Sequence, residues 1–124
     1  MQKNFDAILE TKAKKLEMLQ KWRTYVKKIA KAFKKELPDA EIYVFGSVIE
    51  GREVGGSDVD ILVVSNLLPS SNLERAKLKA KIEKDLKLPL YHPFEMHLAN
   101  KEEAKHYLKH VKKLEKLNKT SAHS

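Results

Sequence analysis

The sequence contains no cysteine among its 124 residues, and this absence removes several kinds of chemistry. Disulfide bonds, thiolate zinc sites and cysteine nucleophiles are all excluded. No apolar run approaches the roughly 20 residues that span a bilayer, and the N-terminus lacks the apolar block and cleavage site of a signal peptide. We therefore expect a soluble, cytoplasmic protein with no membrane partner.

Glycine and proline are also scarce, with four of each, whereas 42% of the residues are hydrophobic. This composition favours a folded protein with short connections over a disordered chain. We expect one domain covering residues 1–124, because the chain is too short for a second domain that would hold a second substrate. A partner is therefore expected to hold part of whatever the protein acts on.

Arginine is scarce within a basic sequence: only Arg23, Arg52 and Arg75 are arginines, and the other 22 of the 25 basic residues are lysines. Since bidentate recognition of phosphates and bases favours arginine, the net charge of +8 mainly predicts a solvated helix surface. A surface for nucleic acid or an acidic partner stays open as the alternative. Residues 38–66 form the only net acidic part of the chain, with six acidic residues and one basic residue, which favours a bound cation there.

Hydrophobic periodicity predicts the elements. Apolar residues at helical spacing predict a long N-terminal helix over residues 1–37, broken at most once, and residues 41–45 and 59–65 predict two strands. A third strand is expected in the sequence FEMHLA, which begins after Pro93.

Two capping boxes mark the later helices. Ser71 with Glu74 predicts the start of a helix that runs to about Leu86, and Asn100 with Glu103 predicts the start of a final helix to about Leu117. Residues 118–124 are expected to fray. The resulting order, α-β-α-β-α-β-α with a short helix or loop in third place, predicts an α/β (α+β) fold in which helices flank one small sheet of about three strands.

The sequence VFGSVIEGREVGGSDVDILVV, residues 44–64, carries the candidate chemistry. Asp58 and Asp60 alternate with valines and so project from the same face of a strand, roughly 7 Å apart. Alone, this pair is better explained without chemistry, with Asp58 capping a turn and Asp60 at a solvated strand end. Gly46 and Ser47 end the preceding strand, where they can place phosphate donors opposite the carboxylates. Together the two parts suit a nucleoside triphosphate with magnesium.

This segment resembles the signature of the DNA polymerase beta-type nucleotidyltransferase superfamily: Gly-Ser, about ten residues, then Asp-x-Asp and aliphatic residues. The short chain is most similar to the stand-alone minimal nucleotidyltransferases, many of which are encoded beside a small helical HEPN protein. The resemblance implies a mixed sheet flanked by helices. It also implies that some such proteins are antitoxins that transfer AMP from ATP to a tyrosine of the HEPN toxin.

The resemblance further implies roles for individual residues. Gly46 and Ser47 would bind the triphosphate, and Asp58 and Asp60 would bind magnesium, with two Mg²⁺ ions expected. Ser57, which opens the Ser-Asp-x-Asp sequence, is a further nucleotide-binding candidate.

The third carboxylate of the family comes from a later strand, and Glu95 is the best candidate because no other acidic residue lies inside the third strand. The alternative for Glu95 is an exposed glutamate on an edge strand. Glu41, Glu50 and Glu53 are weaker candidates for that ligand. His97 shares the face of Glu95 and is interpreted as a partly exposed strand histidine, with a metal-adjacent or proton-shuttling role as the alternative.

One departure from the family concerns Val48, Ile49 and Glu50, which stand where many minimal members have arginines. Triphosphate contacts would then have to come from Arg52, a lysine or a partner.

The expected function is transfer of AMP, or another nucleoside monophosphate, from a Mg-bound triphosphate to a hydroxyl of a partner protein, as the antitoxin of a HEPN toxin. The alternatives are a weakly active binding subunit that masks a HEPN ribonuclease and a nucleic-acid-binding module. The sequence is also compatible with a homo-oligomer.

Overall fold

The computed structural model describes residues 2–50, 59–111 and 113–117, and these contain five helices and four strands. The helices are α1 (Gln2–Gln20), α2 (Trp22–Glu36), α3 (Ser47–Glu50), α4 (Asn72–Asp85) and α5 (Lys101–His110). The strands are β1 (Glu41–Phe45), β2 (Val59–Val64), β3 (Phe94–Ala99) and β4 (Leu114–Lys116). The predicted order of elements is confirmed, and a fourth strand is added at its end.

The predicted N-terminal helix is present with one break, at Lys21, where φ of −107° and ψ of 29° depart from helical values. After the break, α2 buries one apolar face, formed by Val26, Ile29, Ala30 and Phe33. Before it, α1 contributes the fully buried Met18 to the core, but four of its large apolar side chains are more than half exposed: Phe5, Ile8, Leu9 and Leu16. No described helix has both the length and the apolar character needed to cross a bilayer.

The four strands form one mixed sheet in the order β3-β2-β1-β4. The central strand β1 is antiparallel to both β2 and β4, and β2 is parallel to β3. In this register Phe45 is paired with Asp60, and Asp60 is paired with Glu95. The end of β1 and the starts of β2 and β3 therefore meet at one end of the sheet.

The two faces of the sheet have different cores. Helices α2 and α4 cover one face, where the larger cluster includes Phe33, Ile42, Ile61 and Ile82. Helix α5 lies on the other face, where Ala104 belongs to a smaller cluster with Leu62, Val64 and Ala99. Because side chains alternate along a strand, Asp60 shares this second face with Leu62 and Val64. Its side chain is 24% exposed beyond the apolar cluster.

The predicted helix starts are confirmed by their caps. At α5, the Asn100 side chain accepts a hydrogen bond from the Glu103 N–H, and the Glu103 carboxylate accepts one from the Asn100 N–H, both at 2.8 Å. At α4, Ser71 Oγ accepts a hydrogen bond from the Glu74 N–H at 3.0 Å. Arg75 joins the two helices through a 2.9 Å ion pair with Glu103.

The predicted extension of the final helix to Leu117 is wrong. Helix α5 ends at His110, and β4 pairs instead with the free edge of β1. The Leu117 N–H donates a hydrogen bond to the Ile42 carbonyl at 2.8 Å, and Arg23 holds Glu115 through two contacts of 3.1 and 3.2 Å. An unpaired edge strand offers backbone groups that a following segment can satisfy, and here this pairing prevails over local helical periodicity. The predicted frayed tail, residues 118–124, lies outside the described residues.

Candidate active site

Asp60, Glu95 and His97 lie together at the end of the sheet face that α5 partly covers. His97 Nε2 lies 3.1 Å from Asp60 Oδ1 and 3.9 Å from Glu95 Oε1. One ligand atom from each of the three side chains lies within 4.8 Å of the others. Two of the predicted carboxylates, Asp60 and Glu95, lie in this cluster, and their role as metal ligands stays a prediction.

This cluster follows directly from strand register. The parallel pairing of β2 with β3 places Asp60 beside Glu95 and Leu62 beside His97. Because residues two apart on a strand share a face, both β3 side chains lie on the same side as Asp60. Glu95 is at the outer strand, and its side chain is 57% exposed, whereas those of Asp60 and His97 are 24% and 22% exposed.

The His97 ring is held between two aromatic side chains. Its centroid lies 5.4 Å from that of Phe45 on β1 and 5.6 Å from that of Tyr107 on α5. His97 is a partly exposed histidine on its strand, as interpreted from the sequence, and the structure adds its contact with Asp60. The metal-adjacent role stays the untested alternative. The signal in the sequence is the alternation of Glu95 and His97 directly after Pro93.

Gly46 ends β1 beside the same carboxylate and has a φ of +93°. A Cβ atom at this position would overlap Oδ2 of Asp60. The positive φ therefore favours glycine, and a side chain here would displace the Asp60 carboxylate. The glycine of the Gly-Ser sequence thus lets the chain turn sharply from β1 into α3 against the carboxylate.

Helix α3 is a single turn that starts at Ser47. The Gly46 carbonyl accepts hydrogen bonds from the N–H groups of Ile49 and Glu50, both at 3.1 Å. Val48 and Ile49 are half-buried and pack against the larger core cluster. The apolar residues that stand where arginines are common in the minimal family therefore fasten α3 to the core.

The remaining sequence candidates are not all placed by the structure. Arg52, Glu53, Ser57 and Asp58 lie outside the described residues, so their predicted roles stay predictions. Glu41 lies at the opposite end of β1, where its carboxylate pairs with Lys116 at 2.7 Å.

Two grooves flank the sheet. One, of about 330 Å³, runs beside β3 and α4 and is lined by Ala76, Lys79, Glu83, Phe94, Glu95, Met96 and His97. A larger one, of about 650 Å³, lies at the other end of the sheet and includes Asp39, Glu41 and Lys116. Glu95 and His97 of the cluster line the smaller groove, whereas Asp60 is not among its lining residues.

The donor atoms of the cluster fit a divalent cation. Carboxylate oxygens are the ligands that Mg²⁺ prefers, and an imidazole nitrogen is a common ligand of first-row transition ions. The half-exposed Glu95 can rotate toward a bound ion, while Asp60 and His97 are held by their neighbours. The cluster therefore has the donor atoms of a candidate metal site next to the Gly46 turn.

The family model of the nucleotidyltransferase domain matches residues 26–121, a span that leaves α1 outside. The crystal structure of a provisionally assigned nucleotidyltransferase is 34% identical, covering 76% of this chain and 98% of its own, with a TM-score of 0.63. A second provisionally assigned nucleotidyltransferase, from Sulfolobus solfataricus, is 20% identical, with 87% and 83% covered and a TM-score of 0.53. That likeness shows a shared fold alone.

A third crystal structure, of a toxin–antitoxin with AMP-PNP, is 27% identical, covers 58% of this chain and 55% of its own, and has a TM-score of 0.42. A likeness of this degree supports no inference about this chain. Among curated proteins, none matches the sequence significantly. The residues matched by the family model include both the Gly46 turn and the Asp60–Glu95 pair. The first crystal structure is matched over 98% of its own length and over 76% of this chain. The resemblance to the DNA polymerase beta-type superfamily is thereby confirmed, and the chain belongs to the nucleotidyltransferase domain family.

Proposed function

We propose that the protein transfers AMP from ATP to a hydroxyl group of a partner protein, as the antitoxin of a small helical HEPN toxin. The observation that carries the transfer is the position of Asp60 between Gly46 and Glu95 at one end of the sheet. This places two carboxylates beside the Gly46 turn that leads into α3. Membership of the nucleotidyltransferase family supports the same reaction class.

In the proposed reaction, Gly46 and Ser47 bind the triphosphate, with Ser57 and Arg52 as further contacts. Asp58, Asp60 and Glu95 hold Mg²⁺, which when bound neutralises charge on the triphosphate and polarises its α-phosphorus. The acceptor oxygen forms a bond to the α-phosphorus, the bond from that phosphorus to the bridging oxygen breaks, and pyrophosphate leaves.

Glu95 is the proposed acceptor of the hydroxyl proton. Its side chain is 57% exposed, so an acceptor side chain can reach the carboxylate from solvent. A general base of this kind contributes about 10²–10⁴-fold to a rate. Asp60 is more enclosed and bonded to His97, which suits a fixed ligand better than a proton acceptor.

A protein acceptor is supported by α1, which lies outside the span that the family model matches. Phe5, Ile8, Leu9 and Leu16 expose more than half of their surface on this helix. Exposed apolar side chains spaced along one helix are typical of a surface that another helix covers. We propose that the HEPN-type partner covers α1 and thereby brings its tyrosine to the groove beside β3.

The test is to mix the protein with Mg-ATP and a candidate small helical HEPN-type protein, and to weigh both by intact-protein mass spectrometry. The proposal predicts addition of one AMP to the partner by the wild type and none by Asp60→Asn. Asp85→Asn, which removes an exposed carboxylate from α4, is the matched control and should act like the wild type. An unmodified partner, or equal modification by Asp60→Asn, would refute the proposed transfer.

One observation favours the second candidate function, a weakly active subunit that masks a HEPN ribonuclease by binding it. Val48 and Ile49 pack into the core and offer no charge to a triphosphate. This candidate predicts a complex that forms without ATP, survives Asp60→Asn and contains a silent ribonuclease. A complex whose toxin is silenced only after AMP addition would exclude it.

A further inference from the structure

The proposed reaction uses the carboxylate pair of Asp60 and Glu95 but gives no role to the imidazole of His97, which lies beside that pair. Its Nε2 atom lies 3.1 Å from Asp60 Oδ1, and the Glu95 carboxylate lies 3.9 Å away. The ring cannot swing freely, because Phe45 and Tyr107 lie against it with centroid distances of 5.4 and 5.6 Å. His97 therefore presents one nitrogen to the place where the two carboxylates meet.

The spacing of these atoms matches that of ligands around one ion. Two ligands about 2.1 Å from an octahedral ion, at right angles, are about 3.0 Å apart. The 3.1 Å between His97 Nε2 and Asp60 Oδ1 corresponds to this edge with no movement of either side chain. The exposed Glu95 carboxylate completes the set by a small rotation, since all three ligand atoms lie within 4.8 Å of one another.

We infer that Asp60, Glu95 and His97 form one metal site whose imidazole ligand selects a first-row transition-metal ion, with Mn²⁺ as the probe, over Mg²⁺. Magnesium prefers oxygen ligands and retains its water, whereas transition ions accept imidazole nitrogen readily. A site with two carboxylates alone would not strongly distinguish the two ions. The inference concerns the same cluster as the proposed function but rests on the donor geometry, so it holds or fails without nucleotide transfer.

The test measures binding of Mn²⁺ and of Mg²⁺ to the nucleotide-free protein, the first by electron paramagnetic resonance and the second by competition. We expect the wild type to bind Mn²⁺ at least about tenfold more tightly than Mg²⁺. His97→Gln keeps an amide that can donate to Asp60 but lacks the imidazole. We expect it to lose about 10–100-fold in Mn²⁺ affinity and less than about threefold in Mg²⁺ affinity.

His106→Gln is the matched control, because His106 is exposed on α5 and is not a member of the cluster, so its replacement should change neither affinity. Equal losses for both ions in His97→Gln, or no loss for either, would overturn the inference and leave His97 as a residue that only positions Asp60.

A second measurement does not depend on the variant's folding. Pulsed electron paramagnetic resonance of the Mn²⁺-loaded wild type should show coupling to a histidine nitrogen that changes when the histidines carry ¹⁵N. Absence of nitrogen coupling at saturating Mn²⁺ would contradict direct ligation.

Discussion

Replacement of Gly46 by alanine tests the link between backbone conformation and the carboxylate cluster. A residue with a Cβ at a φ of +93° costs about 1–2 kcal/mol of backbone strain. The added Cβ would also overlap Asp60 Oδ2 and push the carboxylate from its 3.1 Å contact with His97. Loss of that hydrogen bond costs about a further 0.5–1.5 kcal/mol. We therefore expect Gly46→Ala to lower the free energy of unfolding by about 2–3 kcal/mol.

Urea unfolding followed by circular dichroism measures this change. With a slope of about 2 kcal/mol per molar, the midpoint should fall by about 1 M or slightly more. Lys87 gives a matched reverse substitution, because it follows α4 with a φ of 54° and is not glycine. Lys87→Gly should raise stability by up to about 1 kcal/mol in the same assay, since glycine removes the strain of the left-handed conformation. An unchanged midpoint for Gly46→Ala, together with intact metal binding, would refute the reasoning.

Three further predictions concern other parts of the fold. The Ser65 hydroxyl, and secondarily the Asn66 N–H, donate hydrogen bonds to Asp39 and hold the pKa of its carboxyl below the ordinary 3.8. The folded state is therefore stabilised by the ionised Asp39 above about pH 4, and this contribution is lost as pH falls through the folded-state pKa. Ser65→Ala should therefore destabilise the protein by about 1–2 kcal/mol at pH 7, and its difference from wild type should shrink in urea titrations at pH 3; a constant difference would contradict this. The Arg75 side chain is 12% exposed and donates hydrogen bonds to both the Pro69 carbonyl and Glu103. Arg75→Lys keeps the charge but should lower the free energy of unfolding, measured by thermal unfolding, by about 1–2 kcal/mol. Full stability in the lysine variant would show that charge alone accounts for the stabilisation by Arg75. Leu9→Glu on α1 should leave unfolding within about 0.5 kcal/mol of wild type but weaken partner binding in calorimetry, and undiminished binding would show that the partner does not cover α1.

Part of the sheet could be predicted from the sequence, from the alternation in β1 and from the nearly continuous apolar run in β2. The burial pattern of β1 is strictly alternating, and the Asn100–Glu103 capping box marks the start of α5 without ambiguity. From such elements the pairing of Asp60 with Glu95 follows once β2 and β3 are parallel. Local sequence was sufficient here because each segment's own pattern agrees with its place in the fold.

Other features depend on contacts between distant segments. Residues Leu114–Lys116 continue a plausible helical pattern, and only the open edge of β1 makes them a strand. The role of His97 depends on Phe45 and Tyr107, which lie 52 residues before it and 10 residues after it, a combination that no local spacing reveals. Val48 and Ile49 similarly make sense only when the core beneath α3 is known.

The most direct test compares the rate at which label from the α-phosphate of ATP enters the proposed HEPN-type partner for wild type and Glu95→Gln. We expect the rate of AMP transfer by Glu95→Gln to fall about 10²–10⁴-fold, because the carboxamide can neither accept the proton nor serve as a charged ligand. Glu102→Gln, which changes an exposed glutamate on α5, is the control and should keep the wild-type rate. A Glu95→Gln rate within tenfold of wild type, under conditions where wild type transfers AMP, would contradict the assignment of this cluster as the catalytic site.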